Sequence, residues 1–130
     1  MARTYVVARM GETTVRDYYE AIDAGDYERF ADLLASDVVH DRPDRTIEGK
    51  ETLVGFMRDD RPDKDTSHEV CRVFGSSDGS GKDCVGSDSD GNTVAVEGRL
   101  LDSAGEPLFE FADAFDLESG RIARIRTYTR

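Results

Sequence analysis

The sequence predicts an α+β fold in which three helices come before a mainly antiparallel sheet. Apolar residues repeat with helical spacing in the first half of the chain and with the alternation of strands from about residue 66 onward. No segment repeats, and helices and strands are not interleaved in the way that a parallel α/β sheet requires. We therefore expect one α+β domain over residues 1–130.

The first predicted helix has one apolar face. Four residues at i, i+3, i+4 and i+7 form this face: Val15, Tyr18, Tyr19 and Ile22. We expect the helix to begin near Thr14, after an N-terminal extension over residues 1–11, and to end at Gly25. Asp26 then follows at a position suited to capping a second helix.

Two further helices and a short strand complete the first half. Phe30, Leu33 and Leu34 give the second helix its apolar face. Residues 38–41 predict a short strand, and the third helix follows Gly49. Its apolar residues are Leu53, Phe56 and Met57. This helix should end before Pro62, because proline disfavours helical geometry in the residue before it.

The second half predicts four strands, over residues 70–74, 93–101, 108–117 and 121–129. Residues 75–92 are rich in glycine, serine and aspartate, so we expect a flexible connection there.

The strand over residues 108–117 contains an anomaly. Alternate side chains of a strand share a face, and the odd-numbered residues here are Phe109, Phe111, Asp113, Phe115 and Leu117. A carboxylate in an apolar wall is costly, so it shifts its pKa, finds a partner or lies in a cavity. Asp113 is thus either a pocket residue or an acid near a strand end that reaches water or an arginine.

The charge composition limits the partners. Aspartate and glutamate number 28 against 17 lysines and arginines, for a net charge of −11, and only 3 of the cations are lysine. This predicts a surface adapted to high salt, as in a halophile. It argues against nucleic acid or an anionic membrane as a partner. No apolar run approaches the ~18 residues of a membrane helix, and the N-terminus lacks a secretory signal pattern, so we expect a cytoplasmic protein.

Metal binding and disulfides are not indicated. The two cysteines, Cys71 and Cys84, lack metal-ligand spacing and are too few for a disulfide scaffold. The only two histidines, His40 and His68, offer no ligand cluster, and His68 has no evident partner in the sequence. We expect no metal and no cofactor.

Three segments resemble the nuclear transport factor 2-like superfamily, and within it the SnoaL-like and ketosteroid isomerase group. These segments are residues 18–26, residues 37–50 with the Val-Val-His-Asp strand and an Ile-Glu-Gly-Lys turn, and residues 113–122. The resemblance covers residues 14–128. It implies a cone-shaped fold with a curved sheet around the helices, an internal pocket for a small hydrophobic ligand, and a homodimer.

The resemblance also implies catalytic positions. Tyr18 lies at the place of the tyrosine that holds the enolate oxygen in ketosteroid isomerases, and Asp113 at that of the protonated aspartic acid beside it. The catalytic base falls on Asp41 when the chain is aligned on Pro43, and on His40 when it is counted back from Gly49. Both assignments stay open. The expected apolar walls are Tyr19, Phe56, Met57, Phe109, Phe111 and Phe115.

These residues suggest a small-molecule isomerase or related proton-transfer enzyme that acts without a cofactor on a hydrophobic carbonyl compound. Because one fold hosts many functions, two alternatives remain. One is a ligand-binding or dimerisation module without catalysis. The other is an epoxide hydrolase or dehydratase. That chemistry needs carboxylates and an arginine that activate a water molecule, and the only candidate group in the sequence is Arg99 with Asp113 or Glu97.

Overall fold

The structure, a computed structural model, describes residues 2–61, 65–76 and 93–130. Three helices are described, α1 (Ala2–Ala24), α2 (Tyr27–Asp32) and α3 (Lys50–Gly55), and α3 continues into a π-helical turn, Phe56–Asp60. The described strands are β1 (Leu34–Asp41), β2 (Thr46–Glu48), β3 (Ser67–Ser76), β4 (Thr93–Leu101), β5 (Pro107–Glu118) and β6 (Arg121–Thr129). The helices pack against one face of the sheet, which confirms the predicted α+β class.

The six strands form one mixed sheet in the order β2-β1-β6-β5-β4-β3. All neighbours are antiparallel except β1 and β6, which run parallel. The pairing of β1 with the last strand sets His40 opposite Ile125 and Asp41 opposite Arg126. It therefore joins residues of the chain's first third to its C-terminal strand.

Helix α1 buries the expected face against the sheet and ends as expected at Gly25, whose φ of +71° suits glycine. The predicted start near Thr14 is wrong, because α1 begins at Ala2. Gly11 does not interrupt the helix. A Cβ there would lie 3.3 Å from Leu117 and 3.4 Å from Val94, so close packing on the sheet outweighs the low helix propensity of glycine.

The end of the second helix differs from the prediction. Asp26 caps α2 as expected, since its side chain accepts a hydrogen bond from the Arg29 backbone N–H at 3.2 Å. Leu34, however, begins strand β1 rather than extending the helix. It is fully buried and pairs with Ile122 of β6. A distant partner strand thus lengthens β1 beyond the predicted residues 38–41.

The remaining strands follow the alternation of the sequence. β4 and β6 have the predicted bounds, β5 is one residue longer at each end, and β3 extends over Ser67–Ser76. The predicted connection therefore starts inside β3, and residues 77–92 of it lie outside the described part. None of the helices in the described ranges is long and apolar enough to cross a membrane.

Candidate active-site pocket

A cavity of about 230 Å³ lies between α1, the π-helical turn and the inner face of the sheet. It is larger than the ~150 Å³ cavity that accepts benzene and smaller than the ~300 Å³ at which drug-sized pockets begin. The cavity therefore suits a ligand of one or two rings. Its polar wall residues include Tyr18, Tyr19, His40, Arg42, Arg61, His68, Asp113 and Thr127.

Asp113 contributes the single carboxyl group among the described wall residues and is only 7% exposed. The Tyr19 hydroxyl donates a hydrogen bond to Oδ2 at 2.6 Å, and the Thr127 hydroxyl donates to Oδ1 at 2.6 Å. Burial raises the pKa of Asp113 above its ordinary value, although both hydrogen bonds act in the opposite direction. Asp113 is thus a buried carboxyl that exchanges its proton closer to neutrality than an exposed aspartate.

The hydrogen-bond chain continues from Thr127 to His40. The Thr127 hydroxyl oxygen lies 2.7 Å from His40 Nε2. Because Thr127 donates its proton to Asp113, His40 must donate to Thr127, which assigns the ring proton to Nε2. Burial lowers the pKa of His40 to about 3, so the ring is neutral at physiological pH. Its Nδ1 atom is buried, and no described residue hydrogen-bonds to it.

Tyr18 is a buried phenol in the pocket wall, 2% exposed. Its ring packs against Tyr19, Phe30 and Phe115, with centroid distances of 5.1–5.4 Å. Burial, and then the charge of Asp113, raise the pKa of Tyr18, so the hydroxyl keeps its proton. It makes no hydrogen bond to another described residue. Tyr18 is therefore a donor available to a bound ligand.

Asp41 lies outside the pocket. Its Oδ2 accepts hydrogen bonds from Arg124 Nε at 2.9 Å and Nη2 at 2.8 Å, and its Oδ1 accepts one from Thr46 at 3.0 Å. The bonds from Arg124 hold its pKa below the ordinary value. Adjacent strand residues point to opposite faces, so His40 lines the cavity and Asp41 does not.

The expected apolar walls divide into two groups. Tyr19, Met57, Phe109 and Phe111 line the cavity, and Phe109, at 40% exposure, lies at its edge. Phe56 does not line it, because its ring contacts the guanidinium groups of Arg42 and Arg45 at 4.9 and 5.2 Å. Phe115 does not line it either, because it is fully buried in the core under Tyr18.

Sequence reasoning missed several polar wall residues. Arg42 and Arg61 precede prolines and resemble turn residues. Thr127 lies two residues after the buried Ile125 in β6, so both side chains lie on the same face of the sheet. This spacing is the sequence feature that could have indicated an inward side chain. His68, expected without a partner, lies 2.7 Å from Asp23 through Nδ1, and its backbone N–H donates to the same carboxylate at 2.9 Å.

The residues considered for an epoxide hydrolase do not come together. Arg99 Nε donates to Glu69 at 2.8 Å, and neither Arg99 nor Glu97 lines the cavity that contains Asp113. Within the described ranges, no group of three or more histidine, cysteine, aspartate or glutamate side chains is arranged to hold a metal ion.

Comparison with protein families gives one match: the SnoaL-like domain, over residues 15–125 of this chain. No curated protein matches. The match covers most of the chain, from the second part of α1 to Ile125 in β6, and includes Asp113.

Solved structures share the fold. One is an inferred ketosteroid isomerase from Kribbella flavida DSM 17836, with a TM-score of 0.74 and 18% identity, covering 95% of this chain and 79% of that one. Another is an inferred SnoaL-like isomerase from Agrobacterium tumefaciens str. C58, with a TM-score of 0.69 and 18% identity, covering 94% and 98%. The Anabaena (Nostoc) sp. PCC 7120 orange carotenoid protein, which binds canthaxanthin, has a TM-score of 0.70 and 20% identity, covering 88% of this chain but 34% of that one.

Proposed function

The chain belongs to the SnoaL-like domain family, and from this premise we propose that it is a cofactor-independent proton-transfer enzyme, an isomerase or a close relative. Its substrate is a small hydrophobic carbonyl compound. The observation that carries the proposal is Asp113, the single carboxyl group among the described pocket residues, buried and held by two hydroxyl groups. A carboxyl group with a raised pKa in a cavity is suited to acid–base catalysis.

Asp113 is the group that moves the proton. The bond between hydrogen and the carbon next to the carbonyl breaks, and the proton passes to the Asp113 carboxylate. The electron pair moves to the carbonyl oxygen, and Tyr18 stabilises the resulting enolate by donating a hydrogen bond. Asp113 then returns the proton, to the same carbon or to a conjugated one, which completes an isomerisation.

The two other candidates for the base are less suitable. His40 has a pKa of about 3, which makes it a weak proton acceptor at neutral pH, and its Nε2–H is engaged with Thr127. Asp41 is bound to Arg124 outside the cavity. Asp113 therefore takes the role of base in place of the neutral donor role that the resemblance implies, and His40 serves to position Thr127.

Hydrogen–deuterium exchange tests the proposal without knowledge of the natural substrate. Hydrophobic cyclic ketones are incubated in D₂O, and exchange at the carbon next to the carbonyl is followed by NMR. The wild-type protein should accelerate exchange, and Asp113→Asn should reduce this acceleration by roughly 10²-fold or more.

Asp41→Asn is the matched control, because it removes a carboxyl group two strands away from Asp113 and outside the cavity. Its exchange rate should stay within about twofold of the wild-type rate. Equal exchange by the wild type and Asp113→Asn would contradict the proposal.

A ligand-binding module without catalysis is the second candidate. Both Asp113 oxygens already accept hydrogen bonds within the protein, and this arrangement also suits a static structural acid. In that case the wild-type protein binds cyclic ketones with no acceleration of exchange, and Asp113→Asn changes neither property.

We also propose that the protein acts in the cytoplasm as a homodimer through the outer face of the sheet. Phe74 and Tyr128 are 48% and 60% exposed there. The small residues Ala95, Ala112 and Ala114 occupy neighbouring positions in the register. Light scattering after size exclusion should give twice the mass of one chain, and Tyr128→Glu should shift it toward a single chain.

A further inference from the structure

We propose that the pocket binds the carboxylate of a hydrophobic organic acid through Arg42 and Arg61. The inference rests on the proposed function, because it names the substrate class for the same pocket. Both arginines line the cavity. In both, the Nε atom is buried and forms no hydrogen bond to a described residue.

An unpaired buried donor on a charged group is expensive, and native proteins rarely leave one without a partner. The two Nε atoms themselves are shielded from the cavity, but neither guanidinium group hydrogen-bonds to a described residue, and both residues line the cavity. A ligand that brings its own acceptor to the outer nitrogens of these groups would offset part of this cost. A guanidinium group matches a carboxylate better than it matches a carbonyl, because two parallel N–H donors meet two oxygens that share the negative charge.

Arg42 is held in place by the surrounding protein but is not neutralised by it. Its backbone N–H donates to the Arg45 carbonyl at 2.8 Å, and its guanidinium group lies over the Phe56 ring at 4.9 Å. Its ion pair with Asp44 is long and exposed: Asp44 Oδ1 lies 4.0 Å from Nε, beyond hydrogen-bond distance, on a side chain that is 63% exposed, and such pairs contribute little. The orientation of Arg42 is thus fixed while its charge remains available.

The balance of charge inside the cavity also favours an anion. Apart from the two tyrosines, which keep their protons, the charged or titratable groups of the described wall are Arg42, Arg61, Asp113 and the two histidines. His40 is neutral, and His68 is paired with Asp23. Two guanidinium groups therefore face a single buried carboxyl, in a protein whose net charge is −11. A ligand carboxylate supplies the missing negative charge.

The remaining wall fixes the other part of the ligand. Apolar contacts come from Ile22, Met57, Leu100, Phe109 and Phe111, and the volume of about 230 Å³ suits one or two rings. Arg42, Arg61 and Tyr18 line the same cavity. A bound carboxylate therefore shares the cavity with the proposed donor for the enolate oxygen.

Binding of 2-naphthoate and 2-naphthamide tests the proposal, because the two compounds share ring system and size and differ in charge. Isothermal titration calorimetry should show that the wild-type protein prefers the acid by about tenfold or more. Arg42→Gln and Arg61→Gln should each weaken naphthoate binding by roughly ten- to hundredfold and leave naphthamide binding unchanged.

Arg45→Gln and Arg58→Gln are the matched controls, since each lies three residues from a pocket arginine and neither lines the cavity. Both should keep the wild-type preference. The ratio of the two affinities within one variant is insensitive to partial unfolding, because both ligands need the folded pocket. No measurable naphthoate binding, an acid-to-amide ratio near one in the wild type, or an equal loss of preference in the control variants would overturn the proposal.

Asp113→Asn separates this inference from the proposed function. The variant should lose hydrogen exchange and should keep or strengthen the preference for the acid, because it removes the one wall carboxyl that can repel an anion. Loss of exchange without any wild-type preference for naphthoate refutes the arginine site alone. A preference for naphthoate with undiminished exchange in Asp113→Asn refutes the proton-transfer role alone.

Discussion

At the scale of single residues, Asp113 is the centre of the pocket's polar chemistry. Alternation along β5 makes it an anomaly in an apolar face, and the structure confirms that it is buried. Its partners were not evident from the sequence. Tyr19, expected only as an apolar wall, donates to it, and Thr127 had no assigned role. A strand pattern identifies which side of the sheet a residue faces, but not which hydroxyl group reaches it.

The raised pKa of Asp113 predicts how the stability of the protein depends on pH. The folded state holds this proton more tightly than the unfolded state, so the contribution of Asp113 to stability is full below its unfolded pKa, near 3.8, and falls as pH rises through the folded pKa. Asp113→Asn removes this decrease of stability with rising pH, because asparagine does not titrate. Its unfolding free energy relative to wild type should increase from about pH 4 to about pH 7, by about 1.4 kcal/mol per unit of pKa shift. Urea denaturation at both pH values measures this.

Asp41→Asn provides a comparison, because the pKa of Asp41 is shifted in the opposite direction to that of Asp113. Arg124 lowers the pKa of Asp41, so the contribution of Asp41 to stability is present above its unfolded pKa and is lost as pH falls through the folded pKa. The variant should therefore lose stability relative to wild type as the pH rises from about 2 to about 5, the range around and below the unfolded pKa near 3.8. The same pH trend in both variants would contradict the opposite pKa shifts.

At the scale of elements, the register of three strands builds the site. Antiparallel pairing of β5 and β6 sets Asp113 opposite Thr127. Parallel pairing of β1 and β6 places His40 next to Thr127, although the two residues are 87 positions apart in the chain. The alternation of β5 and β6 can be read from the sequence. The β1–β6 pairing cannot, because local patterns contain no information about the partner of a strand.

A glycine in β4 fixes the position of a pocket aromatic. A Cβ on Gly98 would lie 2.8 Å from Phe111 Cζ and closer still to the Glu69 carbonyl oxygen, next to the irregularity in the pairing of β3 with β4. Gly98→Ala should therefore destabilise the protein by about 1–3 kcal/mol, because the backbone and Phe111 must move apart. Chemical denaturation measures the loss.

Gly75→Ala is the control for this substitution. Gly75 is in β3, and a Cβ there would meet no described atom within 4 Å. The change should alter stability by less than about 0.5 kcal/mol. Equal effects of the two substitutions would show that steric crowding is not the reason for glycine at position 98.

At the scale of the whole molecule, charge is the dominant property. The chain carries 28 acidic and 17 basic residues, and described ion pairs such as Arg124–Asp41 and Arg126–Asp116 use arginines of the sheet. Because acidic side chains are in excess, their negative charges repel one another, and salt screens this repulsion. The prediction of a salt-adapted protein follows from this balance and concerns the whole surface rather than the pocket.

Thermal unfolding in potassium chloride tests this prediction. The Tm should rise as the salt concentration increases from about 0.05 M to about 2 M near pH 7, because screening relieves the repulsion. Near the isoelectric point of about 4.5 the net charge vanishes, and the rise should be much smaller. A Tm that is independent of salt at pH 7, or an equal rise at both pH values, would contradict adaptation through net charge.

The sequence by itself determined the α+β class, most strand positions, the buried face of α1 and the face of β5 that Asp113 shares with Phe111 and Phe115. All of these follow from local periodicity, which fixes the face on which a side chain lies. Tertiary structure alone decided that His40 and not Asp41 lines the cavity, that Phe56 and Phe115 do not, and that Arg42 and Arg61 do. The physical reason is that these outcomes depend on which strands pair and on what covers each turn, and those contacts join residues far apart in the chain.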